Sequence, residues 1–496
     1  MRIAAALLLQ LVGNALLLLQ LASSHGCHAL STTTKPRAIT GAWPQAFPAK
    51  DLCSNCGLCK TDVGIASVTE ACAFIGDGMA RAEGLEEKVH GRARDYDSNN
   101  LDEAYFGVHE EIVLARGNVD GAQWTGVATG IAIAWLEAGE VDTVVVAGSS
   151  SDGFGEPEPV LCRTVDEVLR GRRVKPSLCP SLAILDVVRD DPSIKRLLFC
   201  GVGCAVQALR AINGGDPEQA LNLDDLYILG THCVDNSPTP QAARNFVSTL
   251  PGVGAERADD VLAYEFMADF RVHTRLRGGE TVKSAYMSLP PSIGVPSIAR
   301  SCFSCFDYTN GLADVVVGYM GAPFDAKTDE MTTAPLMVTV RNAKGRRMLA
   351  NAVERGSVEI LERGGPGGRR LPSTGDRRSI TVKTVEGDSM VKTLLDPEYV
   401  AGDKGAPPFI ANILADVIAK ALPTGLEFAR YSIDYHYLRN RLFCDDRMGN
   451  RAARHVPAYA RAICEPYADD IEELKNPAPP KPGPLWYLAF GARWQR

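Results

Sequence analysis

Several features that define large protein classes are scarce or missing in this sequence. Its 52 Lys and Arg residues are outnumbered by 60 Asp and Glu, a formal net charge of -8, so the overall charge does not indicate a nucleic-acid partner. Beyond the N-terminal end no apolar run is long enough to cross a membrane, and no internal repeat is visible. What remains is a chain of 496 residues, 46% of them hydrophobic, which is enough for a large core and two or three domains.

Acidic residues are absent from the N-terminal stretch, where the first one is Asp51. Arg2 precedes an apolar run over 3–21 and small residues follow, the pattern of a secretory signal peptide. The next residues are rich in Ser and Thr and carry only basic charges. We predict a signal peptide over 1–29 and a transit segment over 30–50, which together address the chain to a plastid (chloroplast) with additional membranes. A simple secreted protein and a signal anchor are the alternatives.

Three cysteines form the tight spacing C-x2-C-x2-C at Cys53, Cys56 and Cys59. This is the first part of the bacterial ferredoxin motif, in which thiolates on one loop bind the irons of a cubane cluster. The usual fourth Cys followed by Pro is missing, and Cys72 is the nearest candidate for the fourth ligand. A zinc site is the alternative, although zinc sites more often use two separated pairs of ligands. The block therefore predicts a 4Fe-4S cluster.

A second set of cysteines is predicted near the ends of buried strands. Two short apolar runs end just before the loops that carry Cys204 and Cys233. Cys302 and Cys305 begin a turn that leads into the β-branched run 315–317. Open α/β sheets bind their ligands at the carboxyl ends of strands, so we expect these four thiols to converge as ligands of a second cluster. Cys200 is an alternative ligand, although its place at the end of a strand favours the core.

A turn of small residues precedes a predicted helix within 121–130. The first backbone N–H groups of a helix have no partner within it, so such a turn suits a flavin ring or a phosphate. Close packing of a helix on a strand, which also needs small residues, is the alternative. The candidate cofactor-binding residues here are Gln123, Trp124, Thr125 and Gly126.

The order of elements predicts a mixed α/β (α+β) protein. A helix is predicted over 105–116, and strands then alternate with helices through the centre of the chain. A Gly/Arg/Pro loop is predicted over 364–378, and the last third is typical of a helical region. The predicted segments are an N-terminal iron–sulfur segment over 51–100, α/β domains over 101–192 and 193–345, a helical extension over 346–475 and a Pro-rich tail over 476–496.

Nine stretches occur in the order found in a known family, namely CSNCGLC, ACAFIGDGM, GAQWTG, LLFCGVGC, THCVDN, SCFSCFDYTNGLADVVVGYMG, TVRN, GDRR and LEFARYSIDYHYLRN. Over roughly residues 50–460 the chain resembles a family of chlorophyll-metabolising reductases. That family comprises plant 7-hydroxymethyl chlorophyll a reductases and ferredoxin-dependent 8-vinyl reductases of cyanobacteria. Both resemble the beta subunit of deazaflavin-coenzyme-reducing hydrogenases, so the two central domains would be its N-terminal-type and C-terminal-type domains.

The resemblance implies one FAD, two 4Fe-4S clusters, reduced ferredoxin as the electron donor and a chlorophyll-type macrocycle as the substrate. It is compatible with a homo-oligomer. It assigns one cluster to Cys204, Cys233, Cys302 and Cys305, and the other to Cys53, Cys56 and Cys59 with Cys72 by position. It places the flavin at the turn that precedes the helix. The residues implied to close the same pocket are Asn310, Gly311 and Asp314.

Three functions remain open at the level of sequence. The overall likeness favours reduction of a 7-hydroxymethyl group, whereas the two-part address favours reduction of an 8-vinyl group, because many algae with such plastids lack chlorophyll b. A non-catalytic electron-transfer subunit is the third. By position Asp235, His232 and Asp307 are the candidates for supplying protons, and the sequence does not choose among them.

Overall fold

The computed structural model describes residues 49–96, 101–150, 153–365 and 374–475. Nearly all of the predicted targeting region and the whole Pro-rich tail lie outside the described residues. Within the described ranges no single helix has the length and apolarity to span a membrane. The helices Pro408–Ala421 and Leu426–His455 reach that composition only as a pair, which is bent by 114°.

Eleven strands in the described part of the chain form two sheets. The strands of the larger sheet are β1 (Glu111–Gly117), β2 (Thr143–Ser149), β3 (Pro157–Cys162), β4 (Arg196–Val202), β5 (Asp225–Thr231), β9 (Val315–Gly318), β10 (Leu336–Val340) and β11 (Val358–Arg363). Their order is β11-β1-β10-β9-β5-β4-β2-β3. The smaller, antiparallel sheet contains β6 (Val261–Phe266), β7 (Arg271–Leu276) and β8 (Thr281–Ala285).

The centre of the larger sheet is parallel. Strands β2, β4, β5 and β9 run in one direction, and the flanking strands pair antiparallel to them. The central strands are rich in Val, Leu and Ile because helices cover both of their faces; all four residues of β9 are buried. The carboxyl ends of β4, β5 and β9 therefore emerge at one edge, as predicted for the cluster site.

Helices surround the larger sheet and continue to the end of the described chain. Those of at least seven residues are Arg81–His90, Val127–Glu137, Gly203–Arg210, Pro240–Val247, Ala343–Glu354, Thr374–Gly387, Ser389–Leu395, Pro408–Ala421, Leu426–Met448, Ala458–Cys464 and Ala468–Lys475. Together with the sheets they confirm the mixed α/β fold class and the helical C-terminal extension. Strands from three of the predicted segments join the same sheet, so the domain boundaries remain predictions.

Two local predictions were wrong. The helix predicted over 105–116 ends at Phe106, and β1 begins at Glu111. The run Ile112–Ala115 is continuously buried because both faces of β1 are covered, Val113 and Ala115 in one hydrophobic cluster and Ile112 in another, so its apolar residues have no helical period. The loop predicted over 364–378 contains the start of the helix Thr374–Gly387, and the smaller sheet was not predicted.

Hydrogen bonds of the backbone fasten the segment that carries Cys53, Cys56 and Cys59 to the central part of the chain. The carbonyl of Cys56 accepts a hydrogen bond from the Leu182 N–H at 2.8 Å, and the Asp186 carboxylate accepts two backbone N–H groups of the segment. Gly57 has a φ of 91°, and a Cβ there would lie 2.8 Å from the Ala183 nitrogen. Only glycine fits this close approach without strain.

Candidate functional site

A large cavity opens at the carboxyl edge of the parallel strands. Its volume of about 1310 Å³ exceeds the roughly 300–1,000 Å³ of most small-molecule sites. The larger sheet, the smaller sheet and the C-terminal helices each contribute to its wall. The cavity can therefore hold more than one organic molecule of moderate size.

The predicted cofactor turn forms part of this wall. Gln123, Trp124 and Gly126 line the cavity. The Gln123 side-chain oxygen accepts the Val174 N–H at 2.6 Å, which leaves its buried side-chain nitrogen without a protein partner. Thr125 faces away instead, because its hydroxyl accepts the Gly117 N–H at 2.7 Å and ties the turn to the end of β1.

Four cysteines surround a smaller cavity of about 40 Å³ next to the large one. We call these four the inner group, and they are Cys204, Cys233, Cys302 and Cys305. The first follows β4 and the second follows β5, which pair in parallel, so both reach the same edge. The Cys233 N–H donates to the Tyr308 carbonyl at 3.2 Å, which brings the loop of the other two cysteines alongside.

The thiols of the inner group are neutral in the protein alone. Burial raises the pKa of Cys233 and Cys305 well above the ordinary thiol range, and nearby cysteines raise it further. Burial also raises the pKa of Cys302 to about 12 and that of Cys204 to about 11. Thiolates here need cationic charge among them, and the irons of a cluster would provide it.

The C-terminal extension holds the inner group in place. The Asn440 side-chain amide donates to the carbonyls of Cys302 and Cys305 at 3.0 and 2.6 Å. The Nε2 of His455 lies 2.7 Å from the Ser304 carbonyl, and Tyr459 donates to the Phe306 carbonyl at 2.9 Å. Helices from the last fifth of the chain therefore fix the loop that carries half of the inner group.

The remaining predicted ligands also come together, and we call them the N-terminal group: Cys53, Cys56, Cys59 and Cys72. Burial raises the pKa of all four thiols, and each of Cys53, Cys56 and Cys72 is raised further by another thiol of the group. Two cationic side chains lie near this group: the charges of Arg81 and Arg451 both act to lower the pKa of Cys72.

The two groups adjoin each other. Repulsion from Cys204 contributes to the raised pKa of Cys56. Ser54 donates a side-chain hydrogen bond to Cys204, which lowers the pKa of that thiol. Ser54 and Cys204 line both cavities. One wall of the large cavity thus contains parts of both groups.

No three His, Cys, Asp or Glu side chains of the described ranges are arranged to bind a single metal ion. The four thiolates of a cubane each bind a different iron, so they stand farther apart than the four ligands of one zinc. Two thiol-only groups of four fit clusters better than they fit a mononuclear zinc site. Every cysteine of the described part is a free thiol.

The predicted pocket residues Asn310, Gly311 and Asp314 do not line the large cavity. The Asn310 amide donates to the Gly201 carbonyl at 2.8 Å, which links the loop to the end of β4. The Asp314 carboxylate accepts hydrogen bonds from Arg210 and from the Ile228 N–H. These residues lie outside the cavity lining and form hydrogen bonds with protein groups. They lie there because the loop leaves the cavity at this point to begin β9 at Val315.

The three candidates for proton transfer have different surroundings. His232 lines the large cavity with both ring nitrogens buried and without a protein partner, and burial lowers its pKa to about 3, so the ring is neutral. Burial acts to raise the pKa of Asp235, but Arg439 contacts both carboxylate oxygens at 2.7 Å and brings it well below its usual range. Asp307 lines only the smaller cavity and accepts from Gln207 and the Gly311 N–H.

Several cavity residues were not predicted from the sequence. Tyr319 stacks on Trp124 with ring centroids 4.7 Å apart and planes 1° apart. Glu265, on β6, accepts a hydrogen bond from the Trp124 side chain. The alternation in β6 places its residues on a sheet face but does not tell which cavity that face meets, so no sequence signal could have found Glu265.

Two family models match consecutive parts of the chain. The model of the N-terminal part of the coenzyme F420 hydrogenase/dehydrogenase beta subunit matches residues 113–186, and the model of its C terminus matches residues 194–363. Both central regions are therefore of the coenzyme F420 hydrogenase/dehydrogenase beta-subunit class. A solved structure, the F420-reducing [NiFe] hydrogenase complex from Methanosarcina barkeri, covers 61% of this chain and 97% of its own at a TM-score of 0.45 and 20% identity.

Two relatives match most of the chain and identify its family within this class. The chloroplastic 7-hydroxymethyl chlorophyll a reductase of Oryza sativa subsp. japonica is 44% identical over 461 residues, which are 90% of this chain and 91% of that protein. An uncharacterised protein of Nostoc sp. is 40% identical over 424 residues, 85% of this chain and 94% of that protein. The chain belongs to the family of the 7-hydroxymethyl chlorophyll a reductases, which confirms the predicted resemblance.

Proposed function

We propose that this chain is a plastid reductase that uses reduced ferredoxin to convert 7-hydroxymethyl chlorophyll a into chlorophyll a. One observation carries the proposal: two groups of four cysteines adjoin a single cavity of about 1310 Å³, in a chain that is 44% identical to a protein named for this reaction. Such a site can accept single electrons at one end and act on a large organic substrate at the other.

The residues present fit the implied cofactors. The inner group and the N-terminal group would each hold one 4Fe-4S cluster, and the turn at Gln123, Trp124 and Gly126 would bind FAD. The unpartnered side-chain nitrogen of Gln123 and the ring nitrogens of His232 are polar atoms that a bound molecule can satisfy. When bound, clusters carry electrons singly and a flavin passes them on in pairs.

The part of the cavity wall that the C-terminal helices form fits a flat, apolar macrocycle. Its aromatic and aliphatic side chains include Ile410, Leu414, Phe428, Tyr431 and Tyr435. Burial of apolar surface is the main source of affinity for such a ligand. Tyr431 and Tyr435 are anchored by hydrogen bonds to Thr384 and Asp388, so their rings present a fixed surface.

The test is an anaerobic assay of the purified chain with chemically reduced ferredoxin and 7-hydroxymethyl chlorophyll a. We expect chlorophyll a as the product, about eight irons and one FAD per chain. A parallel incubation with a 3,8-divinyl chlorophyllide separates this function from 8-vinyl reduction. Reduction of the cofactors with no change in either pigment would reject the proposal and favour an electron-transfer subunit.

The plastid location has its own test. Residues 1–50 fused to a fluorescent reporter should direct it into the plastid of an alga whose plastid has additional membranes. A fusion of residues 1–29 alone should be secreted, because the second part of the address is then missing. Secretion of both fusions would show that residues 30–50 are not a transit segment.

A further inference from the structure

Glu265 is held in the wall of the large cavity by aromatic neighbours. It lies on β6 between Tyr264 and Phe266, which also line the cavity. The Trp124 side chain donates a hydrogen bond to its carboxyl group, and Trp124 is itself fixed by the stack on Tyr319. The carboxyl group is therefore positioned beside the turn at which we place the flavin.

The groups that face Glu265 from the surrounding elements are weak acids. Its carboxylate contributes to the raised pKa values of a set of cavity residues, which are Tyr264, Tyr286, Tyr308, Tyr319 and Cys233. Across the strand pair its partner is His273, whose ring bonds Asp269 at 3.0 Å. In these surroundings burial raises the pKa of Glu265 to about 7, although the Phe266 N–H and Trp124 oppose the rise.

Two other carboxyl groups line the large cavity within the described residues, and both oxygens of each accept hydrogen bonds from protein groups. Asp235 is bound by Arg439 through both oxygens and stays ionised. Asp388 accepts the Tyr435 hydroxyl on one oxygen and the Met390 N–H on the other. Glu265 accepts hydrogen bonds from the Phe266 N–H and from the Trp124 side chain, and of the three carboxyl groups it is the one bonded to the turn at which we place the flavin.

We propose that Glu265 is the acid that protonates the substrate in this cavity. The inference rests on the proposed function and names the source of one of the two protons that the reaction consumes. Conversion of a CH2OH group into CH3 consumes two electrons and two protons and releases one water. The proton of the Glu265 carboxyl goes to the departing hydroxyl oxygen as the C–O bond breaks. The two electrons come from two reduced ferredoxins, and the second proton, from solvent, ends in the new C–H bond. Water then reprotonates Glu265.

The central variant is Glu265→Gln, which keeps the shape and the hydrogen bond from Trp124 but has no acidic proton. We expect its kcat to fall by about 10²–10⁴-fold, the usual contribution of a general acid, with iron and FAD contents unchanged. Wild-type turnover should fall as pH rises through about 7, since the acid form is the donor. Glu265→Asp should retain an intermediate rate, and the exposed Glu256→Gln on the same part of the chain is the matched control.

A second readout does not depend on turnover. The infrared spectrum of the wild type minus that of Glu265→Gln should show a protonated carboxyl band that disappears as pH rises through neutrality. Absence of this band below pH 6, or a Glu265→Gln enzyme with the wild-type rate and pH profile, would overturn the proposal. A wild type that shows the band but reduces no pigment would reject the proposed function instead, and with it the transfer to that substrate.

Discussion

The N-terminal group of cysteines lies within twenty residues of sequence, whereas the inner group is gathered from three distant parts of the chain. The first is shaped by a local loop with Gly57 at its tightest point. The second needs the parallel pairing of β4 and β5 and a loop held by helices from the end of the chain. We therefore expect that the N-terminal group can lose its cluster while the rest of the fold stays intact. Loss of a ligand in the inner group should also disturb the strands and helices that hold it.

The largest expected effect is that of Cys305→Ala. We expect no turnover, and a loss of FAD or of soluble protein, because this loop runs directly into the buried strand β9 and its Tyr308 lines the large cavity. Iron, flavin and soluble yield measure it. Cys444→Ala removes a buried thiol that belongs to neither group and is the matched control, for which we expect wild-type cofactor content.

Cys56→Ala should separate the two regions. We expect turnover with reduced ferredoxin to fall to background and about half of the iron to be lost. FAD and the fold should remain, since the bond from Leu182 uses the Cys56 backbone and survives the substitution. If instead this variant loses FAD while Cys305→Ala keeps it and still turns over, the inner group is not the one that serves the flavin.

Arg439→Met tests how far the inner group depends on the C-terminal helices. It leaves the Asp235 carboxylate without its two hydrogen bonds beside the inner group, and removing one partner of a buried pair costs about 3–5 kcal/mol. Chemical denaturation should show this loss in the free energy of unfolding. The double variant Asp235→Asn with Arg439→Met should recover most of it, and a wild-type stability of the single variant would refute the dependence.

The smallest effect is a pH dependence at His455. Its Nε2 donates to the Ser304 carbonyl, its Nδ1 is buried without a partner, and burial lowers its pKa to about 4. The unfolded chain takes up this proton below about pH 6.5 while the folded protein does not. Stability should therefore fall as pH drops from 6.5 to 4, by at most about 1.4 kcal/mol per pH unit.

His455→Gln should remove this part of the pH dependence. Urea denaturation of the wild type and the variant at pH 7 and pH 5 measures the difference. The variant should lose less stability than the wild type between these two values. Equal losses would show that His455 takes up its proton in the folded state as well.

Much of the fold followed from sequence patterns. The strands β4, β5 and β9 and the helical character of the last third were predicted, because their apolar residues have either no period or a helical one. The helix predicted over 105–116 was wrong since β1 is covered on both faces, with Val113 in one hydrophobic cluster and Ile112 in another, and the smaller sheet was not predicted. The spacing of Cys53, Cys56 and Cys59 also predicted that these thiols lie together, as they do in ferredoxin motifs.

The sequence by itself determined which residue types could bind a cluster, because thiols at short spacing constrain each other without help from the rest of the chain. Only the tertiary structure decided what surrounds them. It joined Cys204 and Cys233 to the Cys302 loop, set Asp235 against Arg439, moved Asn310 behind the cavity wall and brought Glu265 to the cavity. These outcomes depend on strand pairing and on helix packing between residues as far apart in the sequence as Asp235 and Arg439. Burial and charge at each atom follow from that packing, and no local pattern carries them.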